Sequence, residues 1–211
     1  LGIHEGVGVV DSGYEAIEML SLVGIPAPAA RLNNYPYQFS GGMQQRIMIA
    51  MALSCNPALI IADEPTTSVD VTVQAQLLEL IDNLRVKFGT AVIIITHNMG
   101  IVARYVDRVN VMYAGRMVEM GPTEIIFARP LHPYTLGLLK SVPRLDLPRN
   151  RTLSVIKGLP PDLARLPGGC PFKPRCYLAI DRCGKERPQL VEMEKEHFSA
   201  CFRSADIHKI D

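Results

Sequence analysis

Ala58-Leu59-Ile60-Ile61-Ala62-Asp63-Glu64-Pro65 and, later in the chain, Ala91-Val92-Ile93-Ile94-Ile95-Thr96-His97 decide the fold. Each is a short apolar run that closes on polar residues, the pattern of parallel strands buried on both faces. Between them Val73, Leu77, Leu80, Ile81, Leu84 and Phe88 recur at steps of three and four, and Gly89 supplies a helix stop. The spacing therefore predicts strand, helix, strand in a doubly wound α/β layer. In such sheets ligands lie beyond the carboxyl ends of the strands, which is where Asp63, Glu64 and His97 fall.

Working outward, Ala16, Ile17, Leu20 and Val23 mark one face of a helix over Ser12 to Val23, and residues 24–39 read as a Pro-rich connector. The apolar run Ile47 to Leu53, ended by Asn56-Pro57, predicts a helix buried on most sides, with Cys55 as a core thiol. Downstream, Val109, Val111 and Tyr113 alternate with polar or small neighbours before Ala114-Gly115, and Met117-Val118 follows, so an antiparallel hairpin is expected to close the layer. Ten prolines lie between Pro130 and Pro188, including Pro143 and Pro148, which makes regular structure sparse there. The expected segments are 1–56, 57–130 and 131–211.

Composition narrows the function classes. The 211 residues are 48% hydrophobic and 20% charged, ordinary for a globular chain. Lys plus Arg number 22 against 21 for Asp plus Glu, so the net charge of +1 gives no general reason to expect nucleic acid or an anionic membrane as partner. The longest clean apolar run, Ile47 to Leu53, falls well short of the ~18 residues a spanning helix needs. The opening Leu1-Gly2-Ile3-His4-Glu5 lacks the order of a signal peptide, so the reducing cytosol is the expected compartment.

Taken singly, the polar residues at the strand ends are ambiguous. Asp63 and Glu64 are adjacent, so their side chains diverge on an extended chain: one can hold a metal through its water shell while the other faces a reacting water, or they are a helix-capping acid beside a solvated Glu. His97 can hydrogen-bond a phosphate oxygen or be structural. Ser40-Gly41-Gly42 ahead of a helix offers a hydroxyl and two unobstructed amides to an anion, or is a plain cap.

Their joint order is more specific. Phe39-Ser40-Gly41-Gly42-Met43-Gln44-Gln45-Arg46, then Leu59 to Asp70, then Ile95-Thr96-His97 resemble the signature motif, Walker B with D-loop, and switch histidine of ABC transporter ATPases. Tyr35 to Gln44, Asp70 to Gln76, Val111-Met112-Tyr113-Ala114-Gly115 and Leu131-His132-Pro133-Tyr134-Thr135 look like the dipeptide and oligopeptide importer branch. The resemblance implies a P-loop NTPase layer, ATP and Mg²⁺ as ligands, Asp63 supporting Mg²⁺, Glu64 as general base and His97 at the γ-phosphate. It implies that Ser40, Gly41 and Gly42, continued by Met43, Gln44 and Arg46, bind the γ-phosphate of ATP held by the opposing subunit, with Asp70 in the D-loop at the dimer interface. The implied partners are a second ATPase subunit, transmembrane permease subunits and, indirectly, an extracytoplasmic solute-binding protein, with the chain peripheral on the cytoplasmic face of the membrane.

Met43, Ser68-Val69 and Asn98 depart from the family's commonest residues. More severe, no G-x-x-x-x-G-K-[ST] occurs and the glutamine loop is missing, so the amides and Lys that cradle phosphates are absent. The chain is expected to be the C-terminal part of a longer subunit, inactive alone. A shortened non-hydrolysing partner, or a metal-binding regulatory module built on the tail, are the alternatives.

That tail holds Cys170, Cys176, Cys183 and Cys201, spaced C-x5-C-x6-C-x17-C. In a cytosolic, Pro-rich segment with little core, four cysteines suggest a metal staple. The spacing lacks the C-x2-4-C pairs usual for zinc, and six basic residues against two acidic ones from Arg165 to Arg187 offset an anionic thiolate cluster. A 4Fe–4S cluster is the expected occupant, as on matching cysteines of some relatives; zinc or reduced thiols are the alternatives. His132 is expected to be structural, and His4, His197 and His208 have no partner legible in sequence.

Overall fold

The structure, a computed structural model, describes residues 9–67, 69–142 and 155–209. The chain's opening with His4, Ser68, and the stretch holding Pro143 and Pro148 lie outside them. The chain divides into two compact units, residues 1–97 and 98–211.

The first unit holds α1 (Val9–Leu22), a four-residue turn of helix α2 (Pro28–Arg31), α3 (Gly41–Leu53), β1 (Leu59–Asp63), α4 (Val71–Phe88) and β2 (Ala91–Ile95). A 3-10 turn over Pro36–Gln38 gives residues 24–39 more local order than a plain connector. β1 and β2 pair in parallel, Leu59 opposite Ala91 through Asp63 opposite Ile95, and α4 is the crossover between them. Val23, Ile25, Ala50, Leu53 and Leu84 form the core, with Ile60, Leu80 and Phe88 packed against it. α4 starts where the Asp70 carboxylate accepts from the amides of Thr72 and Val73, at 3.0 and 2.9 Å, and ends at Gly89.

Three expectations are corrected here. The strands are buried on one face only: Ile60 and Ala62 point toward the helices, whereas Leu59, Ile61, Ile93 and Ile95 are about half exposed or more. Alternation with period two puts every second residue opposite the helical layer, and no described residue covers that side. For the same reason α3 is buried along one stripe, at Ala50 and Leu53, while Met48 and Met51 face out. Cys55 is exposed, because α3 ends at Leu53 and the chain turns through Asn56 at a φ of 44° before β1.

The second unit holds α5 (Met99–Tyr105), β3 (Arg108–Tyr113), β4 (Arg116–Pro122), α6 (Thr123–Ala128), α7 (Pro133–Ser141), α8 (Arg182–Lys185), β5 (Val191–Glu194) and β6 (His197–Ser199). β3 and β4 form the expected hairpin, turning through Ala114 and Gly115 at φ of 49° and 74°, both in the left-handed region a tight hairpin turn needs. The hairpin does not close the β1–β2 layer. It belongs to a separate sheet of order β3-β4-β6-β5, because the free edge of β4 is taken by β6 from the tail, Glu119 opposite Ser199. Its inward face, Val109, Val111, Tyr113 and Val118, packs on Ile126 and on Phe172, whose ring meets Tyr113 edge-on at 5.1 Å.

Glu119 is the buried anchor of this unit. Fully enclosed, its carboxylate accepts from the amides of Leu131 at 2.5 Å and His132 at 3.0 Å and lies 2.8 Å from His197 Nε2. So His197, without a partner in the sequence reading, has one seventy-eight residues away. His132 is structural as expected: nearly inaccessible, it caps α7 by accepting from the Tyr134 amide, and burial pushes its pKa down to about 4. Among the described residues no helix is long and apolar enough to cross a membrane.

Truncating Glu119 strands two buried amides and an imidazole at once, so Glu119→Ala is expected to cost about 3 kcal/mol or more. Urea denaturation followed by amide exchange at Leu131 and His132 checks this; an unchanged midpoint would remove the carboxylate from its anchoring role.

Candidate functional site

The register of β1 against β2 places Asp63 and Ile95 side by side, and the chain then continues into Glu64 and Thr96-His97 at the same sheet end. The Glu64 amide donates to the Ile95 carbonyl at 2.9 Å, extending the ladder by one bond. Glu64 itself sits at a φ of 46°, a costly conformation for a non-glycine residue that turns its side chain out of the strand path. Its Oε1 lies 2.7 Å from His97 Nδ1 and its Oε2 accepts from the Thr67 hydroxyl at 3.3 Å. An ionised carboxylate only accepts, so Nδ1 carries the imidazole proton and Nε2 is the free ring nitrogen. The His97 hydrogen bond holds the Glu64 carboxyl below its ordinary range, outweighing the partial burial that opposes it; the charge of His97 and the Thr67 hydroxyl act in the same direction. Asp63 is exposed at the tip of β1.

Ser40, Gly41 and Gly42 open α3. Ser40 is its N-cap, accepting from the Met43 amide at 3.4 Å. A Cβ on Gly42 would stand 3.1 Å from the Val73 side chain, so the close approach of α3 to α4 accounts for that glycine. A Cβ on Gly41 would meet nothing within 4 Å. Within the described chain no packing reason accounts for a glycine at Gly41, the first residue of α3. The rest of this motif is turned inward. Met43 packs on the core. Gln44 donates back to the carbonyls of Pro36 at 2.8 Å and Phe39 at 3.3 Å, and Arg46 donates to the Val23 carbonyl at 2.8 Å. Sequence reasoning did not single out Gln45, whose Nε2 donates to the Thr67 carbonyl at 3.2 Å and so joins α3 to the loop after Glu64. The signal was weak, since only a register of helix against loop distinguishes Gln45 from its neighbours.

The four tail cysteines gather in the second unit. The Cys170 amide donates to the Cys183 carbonyl at 2.8 Å, an approach that a Cβ on Gly169 would block by colliding with that same carbonyl. Burial pushes the Cys170 thiol up, Cys176 to about 11 and Cys201 to about 12; Cys176, Cys170 and Cys183 lie close enough to Cys201 to raise it further. The Arg203 amide donates to Cys201 Sγ at 3.3 Å. Among the described residues, however, no three His, Cys, Asp or Glu side chains are drawn together closely enough to hold a metal ion.

Because His97 depresses the Glu64 pKa, the ionised Glu64 carboxylate in its bond to His97 stabilises the fold above the ordinary carboxylate value, and that contribution is lost as pH falls through the lowered one. A carbon-detected NMR titration should find Glu64 protonating below 4.5 and returning toward that value in His97→Ala. An unmoved midpoint in the variant would dissolve the pairing.

Two family descriptions match the chain: ABC transporter over residues 4–67, and oligopeptide/dipeptide transporter, C-terminal region, over residues 118–183. The oligopeptide transport ATP-binding proteins OppD of Salmonella typhimurium and of Escherichia coli K12 are each 48% identical over 206 residues, covering 98% of this chain and 61% and 60% of those proteins. A Brucella melitensis protein whose given name is that of a peptide import ATP-binding protein is 48% identical over 212 residues, 98% of this chain and 63% of that one. Among solved structures, the dimeric bacterial ABC transporter cassette MJ0796 overlays with a TM-score of 0.48 at 30% identity, over 56% of this chain and 49% of that chain. The chain thus spans about three fifths of the length of the curated relatives it matches. It belongs to the ABC transporter ATP-binding family, in the oligopeptide and dipeptide branch.

Proposed function

We propose that the chain supplies the hydrolytic and partner-facing half of an ATP-binding subunit that drives uptake of di- or oligopeptides or related solutes. The observation that carries this reading is the Glu64–His97 pair at the carboxyl ends of two registered parallel strands. Glu64 is the general base that orients the attacking water, and His97 contacts the γ-phosphate. Asp63 holds Mg²⁺ through its water shell, for which one exposed carboxylate is adequate, since Mg²⁺ keeps several waters and takes its remaining ligands from phosphates. Bound Mg²⁺ would neutralise charge developing on the phosphates. Ser40 and the open amide face at Gly41 and Gly42 receive the γ-phosphate of ATP on an opposing ATPase subunit, with Asp70 nearby at the subunit junction; Met43, Gln44 and Arg46 hold that turn in place. The subunit sits peripherally on permease subunits at the cytoplasmic face and meets a solute-binding protein only through them. The functional segments are 1–56, 57–130 and 131–211. Phosphoryl transfer depends on positioning and charge stabilisation, so the 211 residues alone, without a phosphate-cradling loop, do not turn over ATP.

In a complete subunit Glu64→Gln should keep ATP binding and lose about a hundredfold or more in turnover, whereas Asp63→Asn should weaken Mg²⁺-nucleotide binding itself. Turnover and nucleotide affinity measured on both, beside the 211-residue chain, test the reading. A Glu64→Gln enzyme with wild-type kcat would sink the base assignment.

For the tail we propose that Cys170, Cys176, Cys183 and Cys201 hold a 4Fe–4S cluster. Support comes from the donor set, the Arg203 N–H directed at the Cys201 sulfur and the close backbone approach of Cys170 to Cys183 that Gly169 permits. Anaerobically purified protein should be brown, with about four iron and four sulfide per chain. Colourless protein with four titratable thiols after reconstitution would refute the cluster, and stoichiometric zinc would replace it.

A further inference from the structure

We propose that Gln45 and Thr67 are positioning residues that tie the glycine turn at Ser40–Gly42 to the carboxylate of Glu64 within one chain. This rests on the reading of Glu64 as general base. The connection is continuous: Gln45, in the second turn of the helix that Ser40 caps, donates to the Thr67 carbonyl at 3.2 Å. The Thr67 amide donates to the Glu64 carbonyl at 3.1 Å, and the Thr67 hydroxyl donates to Glu64 Oε2 at 3.3 Å. The neighbouring Thr66 is buried and accepts from Gln74 Nε2 at 2.8 Å, so the loop is pinned to α4 on one side and to α3 on the other.

The carboxamide of Gln45 is not explained by stability. Its Oε1 is buried and has no hydrogen-bond partner among the described residues, a cost that an apolar side chain of the same length would not carry. Flipping the amide would set that oxygen against the Thr67 carbonyl, so its orientation is fixed by the one bond it makes. Both side-chain links, at 3.2 and 3.3 Å, lie at the long end of the hydrogen-bond range, where a displacement of a few tenths of an ångström matters. A shift of the α3 N-terminus on meeting an opposing nucleotide therefore reaches Glu64 through two bonds. The groups proposed to act on the opposing nucleotide and the base proposed to act on the chain's own are set together.

The test uses a complete ATP-binding subunit assembled in its transporter, with kcat and KM for MgATP as readouts. Gln45→Leu and Thr67→Val should each lower kcat about tenfold with KM within about twofold, the signature of a lost transition-state arrangement. Thr67→Ser, which keeps the hydroxyl donor to Glu64, should restore kcat. Since the two residues act in series, the double variant should be no slower than the slower single one. Wild-type kcat in Gln45→Leu, multiplied losses in the double variant, or a loss carried by KM would each overturn the proposal. If Gln45→Leu does not fold, Gln45→Glu, which keeps the shape and lacks the donor, takes its place. Glu64→Gln run alongside separates the failures: if it turns over normally the base reading falls, and if it is inactive while Gln45→Leu is normal, only the link falls.

Discussion

The pairing of Asp63 with Ile95 at the end of two parallel strands is the constraint on which the site depends. Side chains alternate with a period of two, so a slip of one residue would send Ile60 and Ala62 outward and carry Asp63 to the helical side. In the observed register the Ile95 carbonyl has one more lone pair to offer, and the Glu64 amide takes it. That bond fixes where the strand stops, and the left-handed φ of Glu64 then directs its carboxylate to His97. The strain at Glu64 persists because bonds on both sides of it, to Ile95 and from Thr67, determine the backbone there.

An equivalent structural role in the second unit falls to a buried carboxylate. Glu119 lies on β4 where alternation would place an outward residue, yet it is buried, because Leu131 and His132 turn their amides to it and β6 brings His197 across. The same strand then places Ser199, whose hydroxyl donates to the Leu131 carbonyl, and Ser204, which donates to Ser199 and to the Cys201 carbonyl. The position of the last tail cysteine is thus set by the hairpin rather than by the tail alone.

Periodicity made α1, α4 and the β3–β4 hairpin legible, because each repeats one physical choice over several residues. It misjudged exposure at Leu59, Ile61, Ile93 and Ile95, since an apolar run shows affinity for a core without showing which layers are present to form it. Cys55 failed for a local reason: the apolar run was extended past Leu53, where the turn through Asn56 begins. Asp70 illustrates a different limit. Its place in a motif suggested a junction between subunits, and its carboxylate caps α4, two uses that do not compete because a cap orders the loop it belongs to. Glu119–His197 and Gln45–Thr67 were invisible, as pairs seventy-eight and twenty-two residues apart leave no periodic trace.

The Glu64–His97 bond also bears on the order of events at the site. While Nδ1 donates to Glu64, Nε2 can donate to a phosphate oxygen only if the ring carries both protons. Glu64 is likewise occupied, Oε1 by His97 and Oε2 by Thr67, so a water approaching it meets a carboxylate whose best lone pairs are in use. The His97 bond favours the ionised form of Glu64, and a carboxylate so held is a weaker proton acceptor. The pair therefore preserves the charge of Glu64 while restraining its basicity. Loosening the 2.7 Å bond releases both groups at once, the imidazole toward an anion and the carboxylate toward water. On the proposed reading, a phosphate that draws His97 away would free the Glu64 carboxylate by the same movement.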